Sequence, residues 1–140
     1  MDEYIKNIDV QNISMQTLAF IGDAVYNVYI RSYLASLNNS RTGILHQSSI
    51  KYVSAKGQSY TIDNIYKFLK EEEIKIYKRG RNTNVGTISK HVDVVEYKKA
   101  TGFEAMIGYL YVTKQNNRLD VIIEKCIKCF VWWREIYGSK

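Results

Sequence analysis

Between Asp9 and Arg31 the chain carries a single charge, Asp23, set within the run LAFIGDAVYNVYI from Leu18 to Ile30. At about 100° per residue, Leu18, Ile21, Val25 and Tyr29 fall on one helical stripe. Ala19, Phe20 and Ile30 bring apolar surface round to the side that Asp23 shares. A helix apolar on nearly every side is expected in the middle of a domain. An ionised carboxylate there has to be paired, hydrogen-bonded or metal-bound, because its isolated burial is prohibitive. The run TGFEAMIGYLYVT from Thr101 to Thr113 repeats the contradiction, with Glu104 the only charge between Lys99 and Lys114. Two lone carboxylates in apolar helical runs far apart in sequence predict one shared interior site.

The chain of 140 residues contains no proline, so nothing in it forbids long unbroken helices. Its length suits one domain with one sizeable core, and we expect a single domain over residues 1–140. Residues 1–13 read as a lead-in with at most a turn of helix. Ser14 is a good N-cap for a central helix over about 14–37, which SLNNSRTG then breaks. Helices are expected over about 44–52, with Leu45, Ile50 and Val53 facing inward and Lys51 and Lys56 outward, and then over about 54–69. In KEEEIKIYKRGRN, Glu71 to Glu73 suit the start of a helix and Lys78 and Arg79 its end, with Gly80 as the stop. A polar loop over 81–91 precedes helices at about 94–114 and 118–136. No alternating strand pattern of useful length appears. The prediction is all-α, with about six or seven helices.

Lys and Arg number 20 against 14 Asp and Glu, a net charge of +6, which favours a polyanionic partner, either nucleic acid or an anionic membrane, without choosing between them. The acidic start MDEYIKN is unlike a signal peptide, and no apolar run of about 18 residues occurs, so a cytoplasmic protein without a membrane partner is expected. Cys126 and Cys129, the only cysteines, are read as buried structural residues rather than half of a zinc site, since His46 and His91 lack zinc spacing. No serine or cysteine nucleophile motif is present. The 12 tyrosines mostly fall beside aliphatic residues at helical spacing, which suits a core or subunit interface better than base stacking. One ring of Trp132 and Trp133 is expected inward and the other outward.

Two carboxylates are a donor set for a hard divalent cation, since Mg²⁺ often takes only one or two carboxylates plus waters. Other readings remain open from residue types alone: Asp23 accepting a hydrogen bond from a tyrosine or backbone amide, and Glu104 closing a capping box with Thr101. Lys78, Arg79, Arg81 and Asn82 around Gly80 would offer forked donors to phosphates, or simply form a solvated helix end. Lys51, Lys56, Lys98 and Lys99 would extend that patch if they share its face.

LAFIGDAVYNVYIR closely resembles the signature helix of the ribonuclease III catalytic domain. Together with LHQSSIKYVSAKGQS, KRGRN and YKKATGFEAMIGYLYV, the chain is similar to the branch of that family that lacks a separate double-stranded-RNA-binding domain. The resemblance runs from about Leu18 to Arg118 and implies an all-helical homodimer, a metal-dependent endonuclease for double-stranded RNA leaving 5′ phosphates. It implies Mg²⁺ as the ion, with Mn²⁺ as a substitute, held by Asp23 and Glu104 as metal-binding and catalytic acids. Without a separate RNA-binding domain, RNA contacts are expected from Arg79 and Arg81 first, with Lys78, Asn82 and Lys56 in support. The expected substrate is precursor 23S ribosomal RNA in the context of the large subunit, with a ribosomal protein as a possible stimulator.

Two departures from the family pattern stand out. The wider family has another acid four residues before the Asp, where this chain has Ala19, and one three residues before the Glu, where it has Thr101. Each helix therefore holds half of an acidic pair, and one firmly held Mg²⁺ per site is expected. The competing readings are a non-catalytic RNA-binding or ribosome-associated helical module with the same fold, and a structural oligomer whose acids cap helices or bind tyrosines.

Overall fold

The computed structural model describes residues 2–83 and 93–137, with side chains as far as residue 130. The described residues form seven α-helices and no strand: α1 (Asp2–Lys6), α2 (Met15–Leu37), α3 (Thr42–Val53), α4 (Ala55–Ile65), α5 (Glu71–Arg81), α6 (Val94–Val112) and α7 (Asn116–Tyr137). A 3₁₀ turn, Tyr66–Phe68, links α4 to α5. Ser14 caps α2 by accepting from the Thr17 amide at 3.0 Å, and Ser54 caps α4 by accepting from the Gly57 amide at 3.1 Å. These caps satisfy amide groups that no earlier turn can reach.

The enclosed helix is α6 rather than α2. Ala100, Phe103, Ala105, Met106, Ile107, Leu110 and Val112 are all buried, so α6 is covered on most of its circumference. Helix α2 buries Leu18, Gly22, Tyr26 and Ile30, one residue per turn, against it. Ile21, Val25 and Tyr29, expected to lead the inward stripe with Leu18, are only partly buried at its flank. Its far side is open, with Phe20 80% and Val28 64% exposed. The amphipathic reading was rotated because α2 is apolar on both faces, and periodicity alone does not say which face a neighbour covers.

Glycines set how closely the helices approach. A methyl group built on Gly22 would overlap the Glu104 carbonyl oxygen, and one on Gly108 would overlap the Leu18 carbonyl oxygen. The backbones of α2 and α6 therefore touch where they cross. Gly80 is not a helix stop: it is buried inside α5, and a methyl there would lie 2.8 Å from the Gly102 Cα of α6. The helix ends a residue later, with Asn82 as its C-cap. Ile50 is 40% exposed rather than inward, whereas Tyr52 fills that part of the core.

One ion pair locks α5 to α7. Arg118 donates from Nε to Glu73 Oε2 at 2.7 Å and from a second nitrogen to Glu73 Oε1 at 2.8 Å and to the Phe68 carbonyl at 2.8 Å. Glu73 is buried, and Oε1 also accepts from the Lys70 amide at 2.8 Å. Burial pushes the Glu73 pKa up, but the Arg118 guanidinium and the Lys70 amide outweigh it and hold the carboxyl below its ordinary value.

Candidate active site

The glycine crossing of α2 over α6 creates the site. Asp23 follows Gly22, and Gly22 lies on the Glu104 backbone, so the two carboxyl groups come within hydrogen-bonding reach of each other. Side chains 81 residues apart in sequence meet because two helix backbones are allowed to touch. The site is not interior, however. Asp23 is exposed on the open side of α2 and Glu104 is partly buried, so the pair is open to solvent on the Asp23 side. Asp23 therefore avoids the burial penalty that its apolar setting in the sequence implied.

Side-chain amides flank both acids. Asn27, one turn beyond Asp23, donates from Nδ2 to the Asp23 carbonyl at 2.8 Å and to Asp23 Oδ1 at 3.1 Å, which fixes the carboxyl against its own helix. Gln58 of α4 lies against the Glu104 carboxyl and favours its charged form. Burial, followed by the neighbouring Asp23 carboxyl, nevertheless pushes the Glu104 pKa up to about 8. Glu104 is no helix cap. Helix α6 begins ten residues earlier, where Asp93 accepts from the Glu96 amide at 3.0 Å, and Thr101 Oγ1 donates to the Tyr97 carbonyl at 3.1 Å.

This donor set fits a hard divalent cation. Two adjoining carboxyl groups, one with its charge suppressed by burial and repulsion, are stabilised by a cation between them. Among the described residues no cluster of three or more His, Cys, Asp or Glu side chains suits a metal ion, so water would complete the coordination, as Mg²⁺ tolerates. Ala19 is buried and Thr101 bonds its own helix, so neither position adds a charged ligand.

The basic residues occupy two elements. Lys78 and Arg79 are exposed at the end of α5, and Thr83 Oγ1 donates to the Arg79 carbonyl at 2.7 Å. Arg81 is partly buried, its guanidinium 5.6 Å from the Tyr77 ring centre and its Nε donating to Asn82 Oδ1 at 3.2 Å. The Gly80–Gly102 contact fastens this basic end to α6 near Glu104. Lys56 is exposed near the start of α4, in a depression lined by Lys51, Ser54, Tyr60 and Phe130. Lys99 is engaged by Asp63 at 3.0 Å.

Cys126 is buried and Cys129 partly so, and burial raises both thiols. His46 is exposed, whereas His91, most of the 81–91 loop, and the side chains of Trp132 and Trp133 lie outside the described residues. Sequence reasoning missed Asn27 and Gln58. The four-residue spacing from Asp23 was a usable signal for Asn27. Gln58 had none, because its contact with Glu104 is set by how α4 packs on α6.

Residues 16–115 match the family described as the Ribonuclease III domain. The chain is 47% identical over 123 residues to the Mini-ribonuclease 3 of Streptococcus pneumoniae, spanning 86% of this chain and 96% of that one. It is 43% identical over 130 residues to the Mini-ribonuclease 3 of Clostridium tetani, spanning 92% and 85%. A crystal structure of a Fusobacterium nucleatum protein superposes with a TM-score of 0.77 at 35% identity, covering 86% of this chain and 96% of that one. No helix among the described residues is long and apolar enough to cross a membrane. With an all-helical fold among the described residues, two carboxyl groups brought together at a glycine crossing and matches spanning most of its length, the chain belongs to the ribonuclease III domain family, within its Mini-ribonuclease 3 group.

Proposed function

We propose that this ribonuclease is a metal-dependent endonuclease for double-stranded RNA, with Asp23 and Glu104 as the acids that hold Mg²⁺ or, as a substitute, Mn²⁺. The observation that carries the reading is the pairing of these two carboxyl groups, with Glu104 pushed up to about 8. Such a pair weakens a metal-free fold and is stabilised by a divalent cation. When bound, the ion supplies charge neutralisation at a phosphodiester and a water of lowered pKa. The chain's own residues orient the site: Asn27 holds Asp23, and the glycine crossing sets the spacing of the acids. Phosphate recognition falls to Lys78 and Arg79, with Arg81, Asn82 and Lys56 in support, and follows A-form shape rather than base edges.

Phe20, Ala24 and Val28 are exposed one turn apart on α2, beside Asp23, and support a homodimer that covers this face. The substrate we propose is precursor 23S ribosomal RNA in the large subunit, with a ribosomal protein as stimulator. Ala19 and Thr101, where the wider family has acids, favour the second reading, an RNA-binding module without catalysis. Cleavage of a long RNA duplex with Mg²⁺ separates the two: wild type cuts to 5′ phosphate and 3′ hydroxyl ends, and Asp23→Asn or Glu104→Gln abolishes cutting while folding and dimerisation persist. Wild type that binds the duplex and a precursor-rRNA stem but cuts neither supports the binding module.

A further inference from the structure

Gln58 is a polar side chain only 1% exposed, and half of its hydrogen-bonding capacity is unused. Its Nε2 donates to the Val53 carbonyl at 3.2 Å, at the corner between α3 and α4. Its Oε1 is buried with no hydrogen-bond partner among the described residues. A buried acceptor left without a partner bears the full cost of its desolvation, a penalty that an apolar side chain of the same size would not incur. The amide also lies against the Glu104 carboxyl. An amide with an orphaned acceptor thus sits against the Glu104 carboxyl.

We propose that Gln58 is a positioning residue of the ion site: its Oε1 accepts a hydrogen bond from a water held by the divalent ion. This assignment rests on the reading that Asp23 and Glu104 hold that ion. Mg²⁺ keeps several of its waters, each a strong donor that an unpartnered oxygen beside a carboxylate ligand can accept from. Partners behind the ligands typically contribute 10- to 100-fold in metal affinity.

The test titrates Mn²⁺ and Mg²⁺ into the metal-free, RNA-free protein at pH 8 by calorimetry, with folding checked by circular dichroism. Gln58→Met keeps the volume and removes both polar groups, and is expected to bind the ion roughly 10- to 100-fold more weakly. Gln58→Glu keeps an acceptor in the same place and is expected to bind within a few-fold of wild type or more tightly. Gln58→Met binding like wild type overturns the assignment. So does Gln58→Glu losing tenfold or more, since the loss then follows packing; this second variant decides the matter alone if the first does not fold. Asp23→Asn and Glu104→Gln binding the ion as wild type does would instead overturn the ion site itself, and the role of Gln58 with it.

Discussion

Replacing Glu104 with Gln should stabilise the metal-free protein, and only at high pH. The Glu104 pKa rises from 4.5 to about 8 through burial first and the Asp23 carboxyl second. Because the folded value lies above the unfolded one, the folded chain binds more protons between those limits, and stability falls as pH rises through them. At about 1.4 kcal/mol per pH unit the full penalty approaches roughly 4–5 kcal/mol above pH 8. Water and counter-ions on the exposed Asp23 side reduce this to about 2–3 kcal/mol. Glutamine has the same shape and no charge, so urea unfolding in EDTA at fixed protein concentration should favour Glu104→Gln by about that amount at pH 8.5. Near pH 5 the difference should shrink to within about 1 kcal/mol. A difference that stays constant from pH 5 to 9 would refute the electrostatic account. Mg²⁺ should then restore stability to wild type at pH 8.5 and leave the variant unmoved.

Gly22→Ala drives a methyl group into the Glu104 carbonyl oxygen, so it should destabilise by about 1–3 kcal/mol despite the better helix propensity of alanine; Gly43→Ala, with open space around it, should be neutral or slightly stabilising by thermal unfolding. Arg118→Met strands the buried Glu73 carboxylate and should cost about 3–5 kcal/mol at pH 7 in chemical denaturation. Because the folded Glu73 pKa is lowered, that contribution is present above its unfolded value and should fade as pH falls through the folded one. Lys78→Ala and Arg79→Ala should each weaken duplex binding across all sequences and reduce the slope of log affinity against log salt by about 1, measured by fluorescence anisotropy. An unchanged slope would remove that residue from the phosphate contacts.

The helix boundaries were largely legible because helix ends are local events. The Ser14 and Asp93 caps lie within one turn of the amides they serve, and α2, α5, α6 and α7 begin or end within a few residues of expectation. The two carboxylates were legible as solitary charges in apolar runs. Gly80 was misread because a glycine after Lys78 and Arg79 looks like a C-cap, whereas its lack of a side chain serves the contact with Gly102. Ile50 and Asp23 were misplaced for a related reason: each lies on an element apolar on more than one side.

By itself the sequence determined an all-helical chain, the two acids, the basic end of α5 and, through its resemblance, the family. Those features follow from hydrogen bonds and charge within a few residues of one another. Only the tertiary structure decided that α6 is enclosed, that α2 leaves Phe20 and Val28 bare, and that Asp23 meets Glu104, with Gln58 against the Glu104 carboxyl. Burial and proximity belong to neighbours brought from far along the chain, and the glycines that admit those neighbours carry no side chain to announce them.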